Sequence, residues 1–121
     1  MWRFGKDKQR DIWDEEIQGP VGDIEAAHKI RDICGAAADL AEKVGTPAGG
    51  PEAERYERAA MTAMEIAIKM ADDLLRDTSI RQIVSLCMKA NDLRTARILL
   101  RAIRAVSIRE DVLNEYPTLR E

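Results

Sequence analysis

The chain has few aromatic residues, only two cysteines and a single histidine among its 121 residues. Aromatic side chains make up 4% of the sequence, which is a poor supply for the core of a β-sandwich or barrel. Cys34 and Cys87 match neither a CxxC motif nor a zinc-ligand spacing. Both lie among apolar residues at helical intervals, so we expect two small buried side chains and a reducing, cytoplasmic location.

Long apolar runs and an excess of one charge are also missing. No run approaches the ~20 apolar residues that span a bilayer, and the N-terminal stretch MWRFGKDKQRDIW has no apolar core of the signal-peptide kind. Membrane association is therefore not expected. The 19 basic and 22 acidic residues leave a formal net charge of −3, so any nucleic-acid contact would need a local basic surface.

Helical periodicity dominates what remains. Charged residues make up 34% of the chain and hydrophobic residues 45%, and apolar side chains recur at helical spacing without the alternation of a strand. We predict an all-α fold, an up-and-down bundle of four main helices with an additional N-terminal helical or extended arm. The predicted helices span about 23–44, 51–76, 79–90 and 93–113. Residues 1–19 are assigned to the arm, 20–116 to the bundle and 117–121 to a C-terminal tail.

The second and fourth predicted helices have apolar arcs much wider than the stripe of an ordinary surface helix. These arcs exceed what a small monomer can bury, so we predict a homo-oligomer, specifically a dimer. Glu57 lies inside the arc of the second helix, near Met61 and Met64. Three positions suit a carboxylate there: the rim of the apolar surface, a salt bridge to an arginine, or a metal site.

Residues that could carry catalysis are sparse. Glu25 and His28 have the Glu-x-x-His spacing of di-iron bundles, but the motif occurs once, and helical periodicity places His28 on the polar face. The sequence contains no GxSxG elbow and no glycine-rich phosphate loop. We therefore predict no catalytic residue, no metal ligand and no cofactor, and we favour a non-enzymatic role.

A partial acidic motif supports the main alternative. Glu54-x-x-Glu57 and the later Asp72-Asp73 pair superficially resemble part of the signature of MazG-type nucleotide pyrophosphatases. That family is all-α, oligomeric and magnesium-dependent, with an EExxE motif followed by ExxD. The resemblance implies a metal-dependent nucleotide hydrolase using Glu54, Glu57 and Asp72. The chain has neither a full EExxE nor an ExxD on a second helix.

An arginine row marks the fourth predicted helix. Arg94, Arg97, Arg101 and Arg104 follow a 3-4-3 spacing, which on one continuous helix gives a straight row. The row can be a solvated edge with acidic neighbours in its own assembly, a docking site for an acidic protein partner, or a phosphate contact. No aromatic residue interleaves it, so nucleic-acid binding is the least favoured of the three.

The predicted N-terminal arm contains most of the large aromatic side chains. Its apolar residues are Trp2, Phe4, Ile12, Trp13 and Ile17. The arm can pack on its own bundle, exchange onto a neighbouring subunit, or bind a different partner; aromatic anchors are typical of binding hot spots. Our leading hypothesis is a non-enzymatic helical protein-interaction module that self-associates, with the arm and the arginine row as its partner-binding surface.

Overall fold

The structure is a computed structural model that describes residues 11–14, 22–44 and 50–120. These residues form α-helices and two short 3-10 segments and include no strand, so the all-α prediction is confirmed for them. The α-helices are α1 (Asp23–Val44), α2 (Pro51–Ile68), α3 (Asp73–Lys89), α4 (Leu93–Ala102) and α5 (Val106–Glu115). The 3-10 segments are Ile12–Asp14 and Pro117–Arg120. None of these helices is long and apolar enough to cross a membrane.

Helix α1 has the predicted extent and forms the centre of the core. Its apolar positions recur every three or four residues, and Ile30, Ile33, Ala37 and Ala41 are all fully buried, as a one-sided helical stripe requires. This stripe packs against both α2 and α3, whereas α4 packs mainly on α3. The core is therefore a group of three helices with α4 added to one side of it.

The boundary between the second and third helices differs from the prediction. The sequence predicts a helix over 51–76 and a polar break at Asp77-Thr78-Ser79, but α2 ends at Ile68 and α3 begins at Asp73. The Asp72 carboxylate accepts a hydrogen bond from the Leu75 amide at 2.9 Å, so Asp72 is the N-cap of α3.

A second aspartate holds the same junction from a distance. The Asp23 carboxylate, at the start of α1, accepts hydrogen bonds from the backbone amides of Ala71 at 3.1 Å and Asp72 at 2.6 Å. These amides have no helical partner once α2 has ended, and the carboxylate supplies one. The turn 69–72 is thus fixed to the beginning of α1.

The predicted helix 93–113 is divided into α4 and α5, and Asp77 is the reason. Asp77 lies inside α3 with only 1% of its surface exposed. One carboxylate oxygen accepts hydrogen bonds from the backbone amides of Arg104 at 3.1 Å and Ala105 at 2.9 Å, and the other accepts one from the Arg76 guanidinium at 3.1 Å. Ile103 and Ala105 are extended, with ψ near 121° and 119°. The side chain thus offers these amides an alternative to helical hydrogen bonds.

The described part of the predicted N-terminal arm packs on its own chain. Trp13 is buried, and the segment Ile12–Asp14 contacts α1 and α2. The Trp13 carbonyl accepts a hydrogen bond from the Thr62 hydroxyl at 3.4 Å. Asp11 forms ion pairs with Arg55 at 2.7 Å and Arg58 at 3.7 Å. Residues 11–14 are therefore part of the folded core.

The C-terminal residues also contribute to the core. Leu119, in the predicted tail, is buried, and the segment Pro117–Arg120 contacts α4 and α5. Arg97 of α4 donates a hydrogen bond to the Thr118 carbonyl at 3.2 Å. The folded part of the chain thus extends beyond the predicted end at Tyr116.

Candidate interaction groove

An open groove of about 570 Å³ lies between the first half of α2 and the start of α4. Its volume is in the range of protein ligand sites. The apolar lining residues come from α1, α2, α4 and the end of α3, and they are Val44, Ala60, Met61, Met64, Ala90 and Ile98. The polar lining residues are Tyr56, Glu57, Asn91, Asp92, Arg94 and Thr95.

The two walls of the groove carry exposed apolar side chains. Met61 on α2 is 60% exposed and Ile98 on α4 is 49% exposed, while Met64 is partly buried between them and the core. Large apolar side chains exposed singly are common on protein surfaces, but a contiguous patch with a polar rim is typical of a binding site. The groove brings these three residues to one opening.

A partly buried hydrogen bond in the lining of the groove connects α2 to the start of α4. The Tyr56 hydroxyl donates to the Asp92 carboxylate at 2.7 Å, and the other oxygen of Asp92 accepts from the Thr95 amide at 3.2 Å. Asp92 is thereby the N-cap of α4. Burial, together with neighbouring Cys87 and Asp92, raises the pKa of Tyr56 well above its ordinary value. Tyr56 and Asp92 satisfy each other, so neither is left unpaired to orient a small ligand.

The turn between α3 and α4 positions these groups. Asn91 has a φ of 58°, a left-handed conformation that asparagine tolerates better than most residues. The Asp92 amide donates to the Cys87 carbonyl at 2.8 Å and the Asn91 amide to the Met88 carbonyl at 3.1 Å, which closes α3 in a Schellman-type ending. The sequence predicted this turn from the Asn91-Asp92 pair.

Opposite charges stand on the two walls. Glu57 of α2 and Arg94 of α4 both line the groove and are both exposed. Neither the Glu57 nor the Arg94 side chain forms a hydrogen bond or an ion pair with another side chain in the part of the chain that the structure describes, residues 11–14, 22–44 and 50–120. Of the three positions considered for the Glu57 carboxylate, the structure shows the one at the rim of the apolar surface. This carboxylate remains in water, where no partner is required.

The four arginines of the predicted row do not lie in one straight line in the structure. Arg94, Arg97 and Arg101 lie on α4, but Arg104 follows the end of that helix, and its guanidinium approaches the Asp73 carboxylate at 3.8 Å. Arg94 and Arg101 are exposed, whereas Arg97 is partly buried against the C-terminal segment. The expectation of a straight row of four was wrong because it required a helix continuous through 103–105.

The predicted arm residues are described only in part. Ile12 is partly buried against the core and Trp13 is buried within it, so Trp13 is not a surface anchor in this fold. Trp2, Phe4 and Ile17 lie outside the described residues. A partner-binding role for those three stays a prediction.

The carboxylates of the MazG resemblance are not brought together. Glu54 and Glu57 lie in the first half of α2, whereas Asp72 lies beyond the end of that helix. The rise from Glu57 to the last residue of α2 alone is about 17 Å. No group of three histidine, cysteine, aspartate or glutamate residues suited to a metal ion occurs in the described ranges, and His28 is exposed.

The two thiols are free and poorly suited to nucleophilic attack. Burial raises the pKa of Cys87 to about 11, and burial together with nearby Cys87 raises that of Cys34 to about 12. The reactive form of a cysteine is the thiolate, which such values make scarce near neutral pH. Cys87 is buried as predicted, and Cys34 is only partly so.

Residues on both walls of the groove could be identified from the sequence, but the sequence did not predict that the two walls border one opening. From the sequence, Glu57 and Met61 are placed on one apolar arc and Arg94 is assigned to a separate row. Only the packing of α4 on α3 shows that both arcs border one opening.

No protein-family model, curated protein or solved structure matches this chain.

Proposed function

We propose that this chain is a non-enzymatic helical protein-interaction module that binds a protein partner in the groove between α2 and α4. The observation that carries the proposal is the open apolar strip of Met61, Met64 and Ile98, flanked by Glu57 and Arg94. Helical proteins commonly recognise partners by accepting apolar side chains into such grooves. Methionine suits this role because its flexible side chain adapts to the surface it meets.

The polar chemistry of the groove favours a protein over a small molecule. Small-ligand sites generally add a few buried polar groups that converge on the ligand. Here the partly buried pair, Tyr56 and Asp92, is already hydrogen bonded, and Glu57 and Arg94 are exposed at the rim. Exposed charges around an apolar centre are the usual anatomy of a protein interface.

The proposal includes three finer features. In it α1, α2, α3 and α4 alternate in direction as in an up-and-down bundle, because short connections join consecutive helices that pack together. The module self-associates in the cytoplasm, and an acidic partner segment would meet Arg94 and Arg101. Nucleic-acid binding is less favoured, because the arginines are divided and the guanidinium of Arg104 lies near a carboxylate.

Site-specific photo-crosslinking in the native host tests the proposal. Benzoylphenylalanine is placed at Met61 or at Ile98, and as a control at Ile68. Ile68 is on α2 and is 68% exposed, but it does not line the groove. We expect discrete protein adducts, identified by mass spectrometry, from the two groove positions and not from Ile68. The proposal is wrong if the groove positions give no more adduct than Ile68.

A further inference from the structure

We infer that the partner in the groove is a second copy of this chain, related by a two-fold axis that runs along α2 and α4. The inference rests on the proposed function, because it requires the groove to be a protein-binding surface. It comes from the order of side chains along the two walls. Each wall presents one exposed charged residue and one exposed apolar residue, and the two charges are opposite.

The spacing on the two walls is the same. Glu57 and Met61 are separated by four residues on α2, and Arg94 and Ile98 by four residues on α4. Four residues are about one helical turn, or about 6 Å of rise.

The Tyr56–Asp92 hydrogen bond puts the end of α3 beside the start of α2, and the bond from the Arg104 amide to Asp77 puts the end of α4 beside the start of α3. We therefore infer that α2 and α4 run in the same sense. Along both walls the charge therefore comes first and the apolar side chain follows it by one turn.

With a two-fold axis parallel to the helices, each charged residue of a wall faces an opposite charge and each apolar residue faces an apolar one. This axis sets α2 opposite α4 of the second copy without reversing the direction of either. Glu57 then faces the partner subunit's Arg94, and Met61 faces the partner subunit's Ile98. Because a two-fold interface uses the same patch on both subunits, each of these contacts occurs twice.

The other two-fold arrangement is disfavoured by charge. An axis perpendicular to the helices sets α2 against its own copy and α4 against its own copy, each pair running in opposite directions. With Met61 and Ile98 at the centre, Glu57 then meets the partner subunit's Glu65, and Arg94 meets the partner subunit's Arg101. Like charges brought together at an interface oppose association. The opposite charges on the walls therefore select the arrangement with the parallel axis.

The pattern extends beyond the groove. Glu65 on α2 and Arg101 on α4 lie about one further turn along and are both exposed. The parallel axis also brings Glu65 near the partner subunit's Arg101. An apolar centre with acid–base pairs at both ends is a self-complementary surface.

Sedimentation equilibrium of the full chain and of charge-reversed variants is the test. We expect the wild type to form a dimer of twice 13.6 kDa. Glu57→Arg alone and Arg94→Glu alone should each raise the dissociation constant at least about tenfold, since each reversal creates two like-charge contacts across the axis. The double variant restores both attractions and should return to within about threefold of the wild type.

Two further variants test the apolar contact, and two serve as controls. Met61→Glu and Ile98→Glu should each weaken the dimer at least about a hundredfold, because each buries a charge against an apolar side chain. Glu25→Arg and Arg31→Glu change exposed charges on α1 that do not line the groove and should leave the dissociation constant unchanged. Far-UV circular dichroism and urea unfolding establish that each variant is folded.

Each outcome decides between the alternatives. A wild type that is monomeric at about 200 μM overturns the inference, because that concentration would populate even a weak dimer. A dimer that persists in both Met61→Glu and Ile98→Glu, or a double charge variant as weak as the single ones, also overturns it. If groove crosslinking captures a different protein and the wild type is monomeric, the proposed binding of a protein partner in the groove stands, whereas the proposed self-association and the inference are wrong. If the groove crosslinks to nothing, both are wrong.

Discussion

Replacing Asp77 by alanine should lower the free energy of unfolding by about 3–5 kcal/mol, the usual cost of breaking a buried charge pair from one side. Asp77 is 1% exposed, so the change leaves a gap that water enters with difficulty. Two backbone amides, of Arg104 and Ala105, lose their acceptor. Arg76, itself only 8% exposed, keeps Asp73 at 3.3 Å as its remaining ion-pair partner.

Urea unfolding followed by far-UV circular dichroism measures this loss. Asp77→Asn should lower the free energy of unfolding by roughly half as much as Asp77→Ala, because the amide oxygen can still accept hydrogen bonds although the charge is gone. Asp73→Ala is the matched control: Asp73 also pairs with Arg76, but its side chain is 70% exposed. Exposed ion pairs contribute about 0–1 kcal/mol, and the control should stay within that range.

Hydrogen exchange adds a local test of the same reasoning. In Asp77→Ala the amides of Arg104 and Ala105 should exchange much faster than in the wild type, because their acceptor has been removed. The reasoning is refuted if Asp77→Ala costs no more than Asp73→Ala, or if those two amides keep their wild-type protection.

Three further outcomes follow from local chemistry. Tyr56→Phe removes the 2.7 Å hydrogen bond to the Asp92 carboxylate and should cost about 1.5–3 kcal/mol in urea unfolding. Gly35→Ala should stabilise the chain by about 0.5–1 kcal/mol, since Gly35 is an exposed residue inside α1 and an added Cβ would meet no atom within 4 Å. Burial raises the pKa of the Cys87 thiol from 9.0 to about 11, so the folded chain holds a proton that the unfolded chain loses. Stability should fall as the pH rises from 9 to about 11, and Cys87→Ala should lose that part of the pH dependence.

Local signals explain why some helix boundaries could be predicted. Asp23, a residue type favoured at helix starts, begins α1, and Asn91-Asp92 separates α3 from α4, where Asp92 is the N-cap; each lies next to an apolar periodic run. The N-cap of α3 also had a local signal, because Asp72-Asp73 precedes Leu74 and Leu75. That signal competed with Asp77-Thr78-Ser79, which has a similar composition, and the sequence could not decide between them.

The division between α4 and α5 had no local signal. Residues 103–105 contain neither glycine nor proline, and the residues on both sides are helical. The acceptor that replaces the helical hydrogen bonds is Asp77, which precedes Arg104 by 27 positions. Such a break depends on tertiary structure, as does the groove, whose walls meet only after α4 has packed on α3.

Two of the junctions between helices, 69–72 and 103–105, are held through main-chain amides by an aspartate from another helix. Asp23 binds the amides of Ala71 and Asp72, and Asp77 binds those of Arg104 and Ala105. Every residue except proline offers the same N–H, so the identities of Ala71, Arg104 and Ala105 are free to change, while Asp23 and Asp77 are not. Asp72 is also constrained, because its side chain is the N-cap of α3. Chain length is not free, because inserting or deleting one residue would carry these amides away from their acceptors. Variation at these junctions should therefore be tolerated as substitution and rejected as insertion or deletion.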